Sequence, residues 1–339
     1  MRFGRFKRLY ACAIVCLLLA ACSGSGDTAS TADEKSYYFR LAETHPNVHP
    51  TTRADKKFAE LVNERSNGRI HIEVFPSSQL GEEKAAIEQL QQGAIEFIRT
   101  SGATLAEYAV PFGVFSIPYL FRNDDHLWRY LDSDAGIELL DGLDDAGITG
   151  LAYYSSGARS LYSVKEIESV HDLKGMNIRV QQNQISIDFI QALGANAIPM
   201  TYGEVYGALN TGVIDAAENN PPSYYSSNHY KIASQFVLNE HQRIPDVLVM
   251  SQAVWNRLSE DDKALIKQAA IDSSELQQSV WNTYEQDAAS ELEKAGVHFA
   301  EIADTAEWQQ AALSVLQKYS SAYKEQLADI SALAKAEDE

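Results

Sequence analysis

From Ser36 onward, short apolar strands alternate with amphipathic helices, and the alternation runs twice along the chain. That order restricts the fold to α/β architectures, with helices packed on the faces of a largely parallel sheet. Tyr37–Ala42 reads as a strand. Residues 51–67 read as a helix, with Ala54, Phe58, Leu61 and Val62 on one face and Gly68 as the stop. Ile70, Ile72 and Val74 alternate as a strand does, and Pro76 ends the run. A helix over 82–92 stops at Gly93, and 94–99 is the next strand. Residues 108–121 are apolar but broken by Pro111 and Pro118, which predicts buried irregular chain with short helices. Helices near 125–131 and 135–146 and a strand over 149–154 close the first block.

The second block repeats the alternation without repeating the sequence. It comprises a strand at Asn177–Val180, a helix over 184–193, and a helix over 201–209 that opens with the capping pair Thr201 and Glu204. A strand over 213–218 and a helix over 223–233 follow, and strands near 235–239 and 247–251 lead back. Ser259 and Asp262 signal another helix start, and no Pro or Gly intervenes before Lys294. A helix of that length can brace both blocks; two helices broken near Asp272-Ser273-Ser274 are the alternative. A short strand over 297–302 and further helices finish the chain.

Residues 1–21 stand apart. Arg2, Arg5, Lys7 and Arg8 precede an apolar run over 11–21 that ends in small residues, the layout of a secretory leader too short to span a bilayer comfortably. Leu19-Ala20-Ala21-Cys22 resembles a bacterial lipobox, which makes Cys22 the expected lipid-bearing first residue of the mature chain. Ordinary cleavage after Ala21, with an incidental Cys, is the alternative. Cys12 and Cys16 leave with the leader, so the mature chain keeps no thiol for a disulfide, a metal or nucleophilic attack. Residues 22–35 are small and polar, a flexible tether. The 339-residue chain carries a formal charge of −19, and losing a basic leader makes it more acidic still. Such a surface repels phosphate backbones and argues against nucleic acid as a partner. An anionic ligand would need its own concentrated positive pocket.

In open α/β sheets, ligands bind beyond the carboxyl ends of the strands. The residues there are His45 and His49, then Arg99, then Ser155, Ser156 and Arg159. Arg179, Glu218 with Asn219 and Asn220, and His241 with Arg243 follow. Guanidinium groups grip a carboxylate through paired hydrogen bonds, while Asn and His both donate and accept toward hydroxyls. A lone Arg at a strand end is more often a surface ion pair; Arg99, in an apolar stretch, reads as buried and paired whatever its role. His71, His171 and His298 read as solvated, and Asp124-Asp125 as helix N-terminal acids rather than metal ligands. Asp141-Gly142-Leu143-Asp144-Asp145 lacks calcium-loop spacing. Tyr224-Tyr225 is either a wall of the site or core packing. No phosphate loop, His-Glu-x-x-His, Gly-x-Ser-x-Gly or dinucleotide motif occurs, so no catalytic residue, cofactor or metal is assigned.

Several ordered motifs resemble one family. They are Ser66-Asn67-Gly68-Arg69-Ile70 leading to Phe75-Pro76, Gln79-Leu80-Gly81, Ile117-Pro118-Tyr119-Leu120-Phe121, and Asp172-Leu173-Lys174-Gly175-Met176-Asn177-Ile178-Arg179-Val180. Ala192-Leu193-Gly194-Ala195-Asn196, Leu209-Asn210-Thr211-Gly212-Val213-Ile214-Asp215 and Glu218-Asn219 continue the series. The pattern is similar to the DctP-type solute-binding proteins of TRAP (tripartite ATP-independent periplasmic) transporters. It departs at Ala216-Ala217, where that family often has Gly and a small or polar residue.

The resemblance implies a two-lobe α/β periplasmic-binding-protein fold of type II-like form, with hinge strands and a long helix spanning both lobes. The expected division is 36–156 plus 244–284 for lobe I, 157–243 plus 285–330 for lobe II, and 331–339 as a tail. It implies that Arg179 binds a ligand carboxylate, that Arg159 assists, and that Asn219 contacts the ligand. Glu43-Thr44-His45-Pro46, Gly81-Glu82-Glu83-Lys84, Phe97-Ile98-Arg99, Asn220-Pro221-Pro222 and Glu240-His241 resemble the branch that binds hexuronates such as glucuronate or galacturonate. That adds Arg99, His45, Glu83, His241 and Asn220 as candidate ligand-binding residues. Aldonates, C4-dicarboxylates and ectoine are the alternative ligands. The family implies a protein that catalyses nothing, works in the periplasm or on the outer face of the cytoplasmic membrane, and delivers its solute to small DctQ-type and large DctM-type membrane subunits. A solute-binding sensor and a uronate-processing enzyme are the competing classes.

Overall fold

Two sheets carry the fold. Strands β1 (Tyr37–Ala42), β2 (Ile70–Phe75), β3 (Phe97–Ser101) and β4 (Ile148–Tyr154) belong to the first. Strands β5 (Arg159–Ser163), β6 (Asn177–Val180), β7 (Asn196–Pro199), β8 (Ala216–Asn219) and β9 (Gln235–Gln242) belong to the second. Strand β10 (Asp246–Ser251) returns to the first sheet and β11 (His298–Glu301) to the second. The orders are β2-β1-β3-β10-β4 and β11-β9-β5-β8-β6-β7. Strands β1, β2 and β3 are parallel, as are β6, β7 and β8, because helices connect them. β10 runs antiparallel between β3 and β4, and β5 antiparallel between β8 and β9. Each lobe thus holds one inserted strand that the chain lays down on crossing from the other. The computed structural model describes residues 35–302 and 305–335. The expected leader, Cys22, the tether up to residue 34 and residues 336–339 lie outside them.

The crossings occur at 155–158 and 243–245. Gly157 turns the first with φ +56°, a conformation that suits a residue without Cβ. The buried Gln277 clamps the same segment, accepting from Ser155 N at 2.7 Å and donating to Ser155 O at 2.8 Å. Gln277 belongs to one continuous helix, Glu260–Lys294. Its start follows the expected chemistry: Ser259 caps it by accepting from Asp262 N at 3.1 Å, and three acids face the positive end of the helix dipole. The first half of this helix buries Ile266, Ala269 and Ala270 against Phe39, Leu41 and Leu248 of the first sheet. Its end buries Leu292 among Tyr162 and Phe236 of the second sheet and Leu209 of the helix Val205–Thr211. It therefore spans both lobes as a single element. Among the described residues no helix is long and apolar enough to cross a membrane.

Several sequence expectations shift. β5 and β7 were not foreseen as strands. Arg159-Ser160-Leu161-Tyr162-Ser163 has no polar–apolar alternation because both its faces are buried, and β7 is a four-residue edge. The helix expected over 201–209 is a 3-10 turn at Tyr202–Glu204 followed by an α-helix at Val205–Thr211, and it does carry the Thr201/Glu204 capping box. The helix expected over 223–233 ends at Ser226, where the chain turns through Asn228 at φ +60°.

Candidate functional site

The carboxyl ends of the parallel strands in each sheet border a polar cleft between the lobes. Its walls include His45, Glu83, Arg99, Arg159, Arg179 and Asn219, six of the eight residues expected from sequence. Asp246, Gln181, Thr104, Tyr202 and Ser223 join them.

The first-lobe wall is built around Arg99, which β3 presents from a fully buried strand. Its Nε donates to Glu43 Oε2 at 2.8 Å and its Nη2 to Glu43 Oε1 at 2.5 Å, a two-point grip. Nη1 donates to Glu83 Oε1 at 3.2 Å and lies 3.4 Å from Asp246 Oδ1. Three carboxylates thus surround one guanidinium. Burial opposes charge on Glu43, but Arg99 and His45 outweigh it and hold its carboxyl well below the usual range. Burial outweighs Arg99 at Asp246 and pushes that carboxyl up to about 6. Glu83 opens the helix Glu83–Gln91 and takes Thr104 Oγ1 at 2.5 Å and Ser101 N at 3.1 Å. This end of the cleft is anionic overall, rich in acceptors and served by one fully engaged cation.

The second-lobe wall has the opposite sign. Arg159 donates through Nε to Glu218 Oε2 at 2.5 Å, and through Nη1 to Asn219 Oδ1 at 3.0 Å. Arg179, on β6, donates from Nε and Nη2 to Met200 O at 3.1 and 3.0 Å. Its Nη1 lies 3.6 Å from Glu218 Oε1, which accepts no hydrogen bond among the described residues. Arg179 is 4% exposed, and burial pulls its pKa below the ordinary arginine value, more than Glu218 restores. Burial opposes charge on Glu218 too, yet Arg159 and Arg179 keep its carboxyl below the usual range. Two guanidinium groups against one carboxylate leave one net positive charge. Asn219 has its oxygen committed to Arg159 and to Asn220 N at 2.9 Å, so its amide NH₂ is the group left to donate.

Two expected residues take other places. His241 lies behind Glu218, stacked on Phe189 with centroids 5.3 Å apart, and burial pushes its pKa down to about 4 despite that carboxylate. Asn220 caps the helix Pro221–Ser226 and donates to Ser156 O at 2.8 Å, so it supports the hinge. Arg243 pairs with Asp124 and Glu240 away from the cleft walls. Tyr224 is core, donating to Ala233 O at 2.5 Å. Sequence reasoning missed Asp246, which opens an apolar strand directly opposite Ser101. It also missed Glu43 as a site acid, although Glu43 stands at the carboxyl end of β1 with His45. Tyr202 and Ser223, in helix first turns, gave no sequence signal.

A polar cleft between two hinged α/β lobes, bridged by one long helix, defines a two-lobe solute-binding protein. Residues 41–322 match the family described as bacterial extracellular solute-binding protein, family 7 (DctP), and the chain belongs to that family. A solute-binding protein of Chromohalobacter salexigens is 37% identical over 266 residues, 77% of this chain and 79% of that protein. Among solved structures, a TRAP periplasmic solute-binding protein from Bradyrhizobium sp. in complex with D-galacturonate is 41% identical. The match has a TM-score of 0.84 and covers 89% of this chain and 100% of that one. One from Pseudomonas putida F1 with bound D-glucuronate is 36% identical with a TM-score of 0.85, covering 87% and 97%. The family binds solutes for transporters and does not turn them over.

Proposed function

We propose that this chain captures a hexuronate outside the cytoplasm and delivers it to TRAP membrane subunits of the small DctQ and large DctM types. The observation that carries this reading is the division of charge across the cleft. The Arg159–Arg179–Glu218 group offers one net positive charge, and among the described residues Arg179 Nη1 makes no hydrogen bond, with Glu218 Oε1 at 3.6 Å. A single ligand carboxylate fits there, taking charge-assisted bonds from Arg179 with Arg159 and Asn219 beside it. The opposite wall, with Glu43, Glu83 and Asp246 held around Arg99, suits hydroxyls, which donate to carboxylate oxygens. The uronate-bound structures of its relatives support the same ligand class. In this reading lobe I is 36–156 plus 244–284 and lobe II is 157–243 plus 285–330, closing about the 155–158 and 243–245 crossings. Cys22 carries a lipid that holds the protein at the membrane.

A thermal-shift and calorimetric screen of the purified mature chain against galacturonate, glucuronate, aldonates, C4-dicarboxylates and ectoine tests the assignment. Hexuronates stabilise the protein most; stabilisation by a dicarboxylate alone overturns the assignment.

A further inference from the structure

His49 does not line the cleft, yet it is fully buried and reaches from one lobe to the other. It caps the helix Pro50–Arg65 by accepting at Nδ1 from Thr51 N at 3.3 Å. A nitrogen that accepts carries no proton, so the proton of the neutral ring sits on Nε2. Burial first, and His45 second, keep the ring neutral by pushing its pKa well below the usual value. The Nε2 atom lies 3.3 Å from Ser223 Oγ of the second lobe. His49 is also held rigidly: its ring stacks on His45 at 3.8 Å and 7°, and Trp281 of the long helix meets its edge at 5.8 Å. Ser223 is fixed in turn, since its backbone N donates to Asn220 Oδ1 at 2.8 Å. His45 Nε2 stands 3.5 Å from the same hydroxyl. The Nδ1 atom of His45 lies 2.9 Å from Glu43 Oε1 and 2.7 Å from Arg99 Nη2. Whichever His45 tautomer these neighbours select, the Ser223 oxygen remains the acceptor for His49.

We infer that His49 and Ser223 form a latch between the lobes, a preoriented N–H on one and a preoriented hydroxyl on the other, that holds the closed state once the solute is inside. This rests on the two-lobe binding reading and assigns positioning roles to residues outside its carboxylate site. His49 caps one helix and Ser223 sits in the capped first turn of another, so neither has to be ordered when the lobes meet; the bond therefore adds to closure with little entropic cost. Opening strands the His49 N–H against water or a poor partner, which slows release rather than entry.

The test uses Ser223→Ala, His49→Asn and the double variant. Asn keeps the helix cap but is too short to reach across. Single-molecule FRET between labels on the two lobes reads the closed-to-open ratio of the ligand-free protein. Each single variant lowers that ratio about fivefold, the worth of one net buried hydrogen bond. Stopped-flow with D-galacturonate shows the His49→Asn dissociation rate raised by about the same factor with association unchanged. The double variant is no worse than either single variant, because both remove one bond. An unchanged closed fraction, or additive losses in the double variant, overturns the latch. Failure of the wild-type protein to bind galacturonate counts against the uronate assignment alone, since the ligand-free ratio still decides the latch. Should the variants not fold, imidazole nitrogen NMR of the wild-type protein reads the same bond: a slowly exchanging proton on His49 Nε2 is expected, and a proton on Nδ1 overturns it.

Discussion

Replacing Arg179 with Met separates affinity from stability. The guanidinium is 4% exposed, is tied to Met200 O by two bonds, and has burial outweighing Glu218 in its pKa. The folded ligand-free protein therefore holds this cation at some cost, and an apolar side chain of similar length removes that cost. The Arg179→Met protein should melt at or slightly above the wild-type temperature. The ligand, by contrast, loses its charged partner. Truncating one side of a buried charge-assisted pair costs about 3–4 kcal/mol, or about 100- to 1000-fold in Kd. With hexuronate at a thousand times the wild-type Kd, the wild-type protein gains about 4 kcal/mol from binding, whereas the variant gains only about 0.4–1.4 kcal/mol. Differential scanning fluorimetry with and without ligand, backed by calorimetry, measures both quantities in one series. Retained affinity refutes the carboxylate role. A collapse of the ligand-free melting temperature refutes the argument that Arg179 is held for the ligand rather than for the fold.

A hexarate, with a carboxylate at each end, should bind at least about 100-fold more weakly than the matching hexuronate, because its second charge meets the acids around Arg99. Glu83→Gln should narrow that gap about tenfold, and competition calorimetry reads both; equal affinities refute the polarity of the cleft. Glu285, on the long helix, has its carboxyl pushed up to about 7 by burial and then by Asp124. Its folded pKa exceeds the ordinary value, so its contribution to stability is complete below about pH 4.5 and is lost as pH rises through 7. Glu285→Gln should match wild-type melting near pH 4.5 and exceed it increasingly toward pH 8; a pH-independent difference contradicts this.

Most of the architecture was readable because strands such as β2, alternating at Ile70, Ile72 and Val74, and β3, a buried run, carry apolar patterns set off by Gly and Pro, and the helices carry caps such as Thr201 with Glu204. The uninterrupted helix to Lys294 followed from the absence of Gly and Pro. What escaped was the inserted strand β5, whose Arg159 and Ser160 read as loop because their side-chain partners, Glu218 and Asn219 for Arg159 and the Glu240 N–H for Ser160, lie about 60 to 80 residues away. The three arginines were visible as strand-end cations, but their inequality was not. Arg99 is neutralised by acids from three different segments, while among the described residues Arg179 Nη1 comes only to 3.6 Å from Glu218, and only the fold brings Asp246 and Glu83 against one and not the other. His49 was visible only as a polar residue beyond the first strand; its reach to Ser223 on the second lobe depends on a contact 174 residues away.

The placement of β10 has a consequence for biogenesis. Until Ser251 has been synthesised, the first sheet exists only as β2-β1-β3 on one side and a lone β4 on the other, with a missing strand between them. Its hydrogen-bond ladder cannot close from the N-terminal half of the chain, and such long-range pairing is slow. For a member of a family that works beyond the cytoplasmic membrane, the delay is useful: a translocation channel threads extended chain, and this topology keeps the nascent polypeptide unfinished until most of it has been made.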